Sequence, residues 1–324
     1  MDAPVGALRA RTLVRDAVLV RMEKVEELAK SEINRAAAML PISVIVAARN
    51  EEKNLPRCLQ SLRDAGEVFV VDSGSTDATP EIANSFGAKL VQFRYQGGWP
   101  KKRQWAMDNL PLSYDWIFLV DADEALTPEL AAEIKEAITS DASDGYYISL
   151  RMYFLGRVLR HGDASFWKLS LFRRGKGRYE CRLKDQNASM ADMEVHEHVI
   201  VEGKTARLEH PLVHHNVESL SRYIQKHDEY SNWESRVLLD SGQESSELKP
   251  SLFGTQAQRR RWLKKKLYTV PGSPVLLFFY RYLLRAGFMD GIPGLIYCGF
   301  QAVQMFHTKS KIYELKAKAS TQGN

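Results

Sequence analysis

The sequence predicts an α/β protein: a mostly parallel, Rossmann-like sheet flanked by helices, preceded by an N-terminal helix and followed by an amphipathic helical segment. Three observations carry that prediction. Apolar runs of strand length recur at 42–48, 68–71, 89–93 and 116–120, and stretches of helical spacing between them give the alternation a right-handed parallel sheet needs. The run Trp116, Ile117, Phe118, Leu119, Val120 is bulky and apolar throughout, as a strand covered on both faces must be. Finally, three of the runs end on acids or amides: Asn50 and Glu51, Asp72, then Asp121 and Asp123. These groups therefore converge on the carboxyl edge of the sheet, where open α/β sheets bind ligands.

The 324 residues, 44% of them hydrophobic and 26% charged, suffice for one large domain with an appendage, or for two domains. Cys58, Cys181 and Cys298 lie far apart without a CxxC pair, which excludes a disulfide framework and fits a reducing cytosol. Arg9, Arg11, Arg15 and Arg21 interrupt the first apolar stretches, so no signal-peptide core is expected and the protein is expected to stay in the cytoplasm.

Taken in order, residues 1–40 read as a helix. Leu8, Val14, Val18, Met22, Val25 and Leu28 form one face and Glu23, Lys24, Glu26, Glu27 and Lys30 cover the other. Such a helix could dock on its own domain, make a dimer contact or lie on a membrane. Pro41 opens the first strand. Leu55, Leu59 and Leu62 mark the helix after it, and Pro80 is placed to start the next one. No GxGxxG follows the first strand and no Walker motif occurs. A nucleotide here would be held through base and ribose by the early acids, with its phosphates on a metal. Asp121 and Asp123, one residue apart, offer oxygen ligands to a hard divalent cation that can neutralise a diphosphate.

Three motifs then stand in order at strand ends: Ala47 with Arg49, Asn50, Glu51 and Asn54; Asp72-Ser73-Gly74-Ser75-Thr76-Asp77; and Asp121-Ala122-Asp123-Glu124. Together they resemble the family 2 glycosyltransferases of GT-A fold, in the branch of lipopolysaccharide core β-glucosyltransferases and related cell-surface polysaccharide enzymes. The resemblance covers residues 42–215 and, more weakly, the segment after Pro271. It implies that Asp72 reads a uracil base, that Ala47, Arg49 and Glu51 form the nucleotide-side loop, and that Lys102 and Arg103 approach the nucleotide. It further implies that Asp121 and Asp123 bind the diphosphate through Mg²⁺ or Mn²⁺. Where the family often has a second acid after Asp72, this chain has Ser73, leaving one base-reading carboxylate.

An inverting sugar transfer needs a base to take the acceptor hydroxyl's proton. Glu197 matches the family's base position, with Glu194 second and His196 beside them. His196 and His198 also share one strand face and could be metal ligands or structural histidines; Ile200 stands where HExxH would need its second histidine. His214 is a possible third metal ligand, or a cap for a helix around Glu218. The expected domains are therefore a helix over 1–40, a catalytic domain over 41–215, a helical extension with a polar linker over 216–255, and basic and apolar helices over 256–324.

In that last segment six cations lie within 259–266, interleaved with Trp262 and Leu263, followed by apolar runs around 275–285 and 291–306. Neither run reaches the roughly 20 apolar residues of a membrane span. Broken apolar helices beside a polybasic run suit a protein lying on the inner face of the cell membrane, with Arg281 and Arg285 reaching to lipid phosphates. The patch lacks a nucleic-acid motif, so no nucleic-acid partner is expected. The expected function is transfer of a sugar from a nucleotide sugar, UDP-hexose, to a lipid-anchored glycan. A non-catalytic sugar-nucleotide-binding assembly or regulatory subunit is the alternative.

Overall fold

The computed structural model describes residues 39–182, 194, 197–215, 219–239, 251–253 and 256–322. The helix expected over 1–40 (save its last two residues), His196 and the polar stretch 241–250 lie outside the described residues. The chain divides into the units Met1–Leu40 and Pro41–Asn324.

The strands and helices alternate as the sequence predicts. Strand β1 (Leu40–Ala48) leads to α1 (Leu55–Ser61), β2 (Ala65–Asp72), α2 (Thr79–Ser85), β3 (Lys89–Gln92), α3 (Lys102–Asn109) and β4 (Trp116–Asp121). A short β5 (Glu124–Ala125), α4 (Pro128–Ser140) and β6 (Gly145–Phe154) follow. Then come β7 (Arg157–Val158), β8 (Phe166–Arg173), β9 (Gly177–Tyr179), β10 (Val199–Val201), β11 (Thr205–Arg207) and β12 (Leu212–His215). The main sheet runs β3-β2-β1-β4-β8-β6-β12-β5. β2 pairs β3 in parallel and β1 pairs β4 in parallel. The far half is mixed: β8 is antiparallel to β4 and β6, and β12 is parallel to β6 but antiparallel to β5.

Two registers position the site. Ala47 lies beside Asp121, so β1 and β4 end together. The carboxyl ends of β1 and β2 also meet, Ser73 N–H donating to the Ala48 carbonyl at 3.2 Å. On the other side His214 of β12 stands opposite Glu124 of β5. Beneath this edge Ile45, Phe69, Val71, Ile117, Leu119, Leu169 and Phe172 form a buried apolar layer, which fixes the strands that carry the polar ends.

The C-terminal third is helical: α5 (Leu220–Leu239), α6 (Gln256–Thr269), α7 (Ser273–Phe279), a π-helical turn (Tyr280–Leu284), a 3₁₀ turn (Gly287–Asp290) and α8 (Gly291–Gln322). Tyr223 of α5 and Tyr297 and Cys298 of α8 pack with Met152, Phe154 and Leu159, joining these helices to the sheet. No helix of the described residues is long and apolar enough to cross a membrane.

Candidate active site

The turns after β1 and β2 are stitched together by side chains. Asn50 takes a left-handed backbone (φ 54°), which asparagine tolerates better than most residues. Its N–H donates to Ser75 Oγ at 2.8 Å and its Oδ1 accepts from Thr76 N–H at 2.8 Å. Glu51 N–H donates to Thr79 Oγ1 at 2.8 Å. Asp72 is wholly buried; it accepts from Ser75 N–H at 3.1 Å and Gln92 Nε2 at 2.9 Å, and from the Ser75 hydroxyl. Asp72 therefore shapes this mouth from below. Ala47 is buried under it and Arg49 is exposed at its rim.

At the end of β4 both oxygens of Asp121 are held by cations. Arg103 pairs with Oδ1 and Lys168 Nζ lies 3.1 Å from Oδ2. Burial alone would raise this carboxyl, but the two cations hold it well below the usual carboxylate range. Lys168 also bonds Glu124 Oε1 at 3.2 Å, and Glu124 accepts the Asp121 N–H at 2.8 Å. Asp123 faces elsewhere. His214 Nδ1 is 3.4 Å from its Oδ1 and Lys226 Nζ is 4.0 Å from its Oδ2. Lys226 comes from α5 and is 3.1 Å from Glu51 Oε1. Its burial would depress the ammonium, yet Asp123 and Glu51 together raise it. Tyr230, one turn further along α5, is pushed up to about 12 by burial.

Two residues expected at the site hold α3 in place. Lys102 is buried and donates to the Ala48 carbonyl at 2.9 Å, so it ties α3 to β1. Glu194 accepts the N–H groups of Arg103 at 3.2 Å and Gln104 at 3.0 Å. Its carboxylate thus satisfies the otherwise orphan donors that open α3, and both oxygens are spent on the helix.

Glu197 has no such duty. Its side chain is fully buried beside Lys101, whose Nζ is 3.3 Å from Oε2. Burial raises its carboxyl to about 7 against the pull of Lys101. The neighbouring His198 donates its N–H to Glu180 Oε1 at 3.0 Å, and Arg261 of α6 pairs with the same oxygen. His198 is thus an anchor of this segment. His210 pairs with Glu133 at 2.9 Å. His214 lies in β12, and Glu218, around which a helix is expected, lies outside the described residues.

Lys101, Lys168, Lys226 and Tyr230 are site-lining residues that sequence reasoning missed. Lys168 sits in an apolar strand of β8, where alternation alone marks it as odd. Lys226 and Tyr230 share one face of α5 at a spacing of four, a legible signal only once that face is known to look at Asp123.

The model of the Glycosyl transferase family 2 matches residues 43–194. The chain therefore carries a family 2 glycosyltransferase domain. The match runs from β1 to the Glu194 cap and takes in Asp72, Arg103, Asp121 and Asp123, while Glu197, His214 and Lys226 of this glycosyltransferase lie beyond it. Its sheet is the α/β, GT-A-type architecture expected from the sequence. The chain is 29% identical over 286 residues to "Lipopolysaccharide core biosynthesis glycosyltransferase LpsC" of Rhizobium meliloti, covering 86% of this chain and 94% of that one. It is 26% identical to "Uncharacterized glycosyltransferase RC0292" of Rickettsia conorii, covering 86% and 92%. Among solved structures, Staphylococcus aureus TarS 1-349 in complex with UDP-GlcNAc covers 86% of this chain and 92% of that one at 16% identity, with a TM-score of 0.43.

Proposed function

We propose that this glycosyltransferase is an inverting enzyme that moves a sugar from a UDP-sugar to a lipid-anchored glycan of the cell surface, such as a lipopolysaccharide core, while held at the inner face of the membrane. The observation that carries the reading is Glu197: a fully buried carboxyl beside Lys101, raised by burial to about 7, hence matched to taking a proton near neutrality.

The base of the donor is taken at the mouth between the β1–α1 and β2–α2 turns, which the buried Asp72 holds in shape through Ser75. Arg49 and Glu51 form its near wall. His214 Nδ1 is buried, has no hydrogen-bond partner among the described residues and lies 3.4 Å from Asp123 Oδ1, a donor pair that fits a Mg²⁺ or Mn²⁺ ion. Mg²⁺ in such sites is commonly bound by one or two protein groups plus substrate phosphates; among the described residues no group of three His, Cys, Asp or Glu is arranged to hold a metal. When bound, the ion neutralises charge on the diphosphate. Arg103 and Lys168 fix Asp121 in its ionised form, and Lys226 brings a second positive charge from α5 to the same place.

The transfer is a single displacement. Glu197 takes the proton of the acceptor hydroxyl as that oxygen bonds the anomeric carbon. The bond from that carbon to the diphosphate oxygen breaks, UDP leaves with the electron pair, and the configuration inverts. Lys101, 3.3 Å from Glu197, keeps the buried carboxylate compensated before the proton arrives.

The test is a panel of nucleotide sugars with Mg²⁺ or Mn²⁺, read first as thermal stabilisation and then as transfer to extracted membrane glycolipid. Stabilisation by a UDP-sugar that persists in Glu197→Gln, with turnover lost, is expected. Turnover at the wild-type rate in that variant would remove Glu197 from the mechanism.

A further inference from the structure

Beyond residue 250 the chain exposes apolar side chains at a density found nowhere else in the described residues. Within the hairpin of α7, the two tight turns and the start of α8, Leu284 is 79% exposed, Ile292 72%, Val275 59% and Met289 56%. Leu276, Phe279, Leu283 and Phe288 accompany them. The set 275, 276, 279, 280, 283, 284 advances in steps of four and so forms one helical face. The opposite face, with Phe278 and Tyr282, packs on the cluster of Met152, Phe154, Leu159 and Tyr223.

These side chains are held outward by a rigid mount. A Cβ on Gly294 would come within 2.1 Å of the Gly287 carbonyl oxygen, and one on Gly287 within 2.6 Å of Cys298 Sγ, so the hairpin closes only because both are glycine. Asp290, buried, accepts from His161 N–H at 2.8 Å and Arg160 N–H at 3.0 Å. Arg281 donates to the Gly162 carbonyl at 2.9 Å and Arg285 to Asp163 at 2.6 Å. This corrects the expectation that the two arginines reach for lipid phosphates: they bolt the hairpin to the β7–β8 connection. The cations of α6 are likewise partly spent inside the protein, Arg261 on Glu180 and Lys264 on Glu234.

The occupant follows from charge. Residues 251–313 contain five arginines, five lysines and a single acid, the buried Asp290. A rigid apolar face within a segment of one sign fits an anionic lipid leaflet, where apolar side chains enter the acyl boundary and cations lie at the headgroups.

We propose that the α7–α8 hairpin is a preformed wedge that enters one leaflet through Val275, Leu276, Phe279, Leu283, Leu284, Met289 and Ile292. Apolar insertion provides the anchorage, and Lys265 and Lys266 of α6, which form no ion pair among the described residues, provide the orientation. This rests on the membrane-peripheral reading above and adds which surface makes the contact and by which force.

The experiment is flotation of the full chain with vesicles of phosphatidylethanolamine and phosphatidylglycerol, at low and high salt. Wild type is expected to float in both conditions. The double variant Leu284→Asp/Ile292→Asp is expected to lose binding at least about tenfold in both, since each replaces an inserted side chain by a charge. Lys265→Gln/Lys266→Gln is expected to lose binding at low salt only, by several fold. Thermal unfolding and UDP binding by calorimetry report folding and the donor site independently of lipid. An aspartate variant that unfolds normally, binds UDP and still floats like wild type overturns the wedge. So does a wild-type protein that binds UDP but forms concentration-dependent dimers and ignores vesicles.

Discussion

At the residue scale, Glu197 is placed where its anion is uncomfortable. Its folded carboxyl sits at about 7 against an ordinary 4.5, so kcat/KM should rise with pH through about 7 as the base ionises, and Glu197→Gln should abolish that limb while lowering kcat about 10²- to 10⁴-fold. Stability runs the other way. The neutral form is favoured in the fold, so its contribution is full below 4.5 and lost as pH rises through about 7. Glu197→Gln should therefore gain thermal stability relative to wild type above neutrality and not at low pH, a comparison that calorimetry at two pH values makes. Asp121 and Asp123 should separate in the same manner. Asp121→Ala leaves Arg103 and Lys168 without their shared carboxylate and should cost about 3 kcal/mol of stability, measured by denaturant unfolding. Asp123→Ala touches fewer cations and should unfold near wild type while losing Mn²⁺-dependent UDP binding. The Asp-x-Asp spacing was readable from the sequence because it ends an apolar strand. Lys168 and Lys226, which decide what each aspartate does, were not, since they arrive from β8 and α5, 44 residues or more along the chain.

At the element scale, two helices act on the site, α3 from within the matched residues 43–194 and α6 from beyond them. α3 is only eight residues long and has no capping side chain of its own, so Glu194 holds its first turn from 90 residues away. Sequence reading gave Glu194 a candidate catalytic role because an acid near Glu197 looks available until its hydrogen bonds are counted. α6 holds the segment of Glu197 through Arg261, Glu180 and His198. Arg261→Met leaves Glu180 buried without its cation and should reduce kcat about tenfold or more with donor affinity retained, since it moves the base segment and not the nucleotide mouth. Equal loss of donor binding, measured by calorimetry, would count against that division of labour.

At the scale of the whole molecule, the proposed donor site draws on β1, β2, β4, β12 and α5, so a ligand there should cross-link elements far apart in sequence. UDP with Mn²⁺ is expected to raise Tm by several degrees in wild type, by mass action on the folded state, and not in Asp123→Ala. The order of apolar runs determined the α/β class and the edge of the sheet where polar strand ends gather, because burial on both faces and polar strand ends are local properties of the chain. Composition likewise announced a basic, greasy C-terminal third. Which acids remain free to react, which lysines balance them, and which apolar residues stand outward were decided only by tertiary structure. Each of those depends on what a side chain meets across the fold, and burial, hydrogen bonding and charge pairing are set by that neighbour and not by the residue alone.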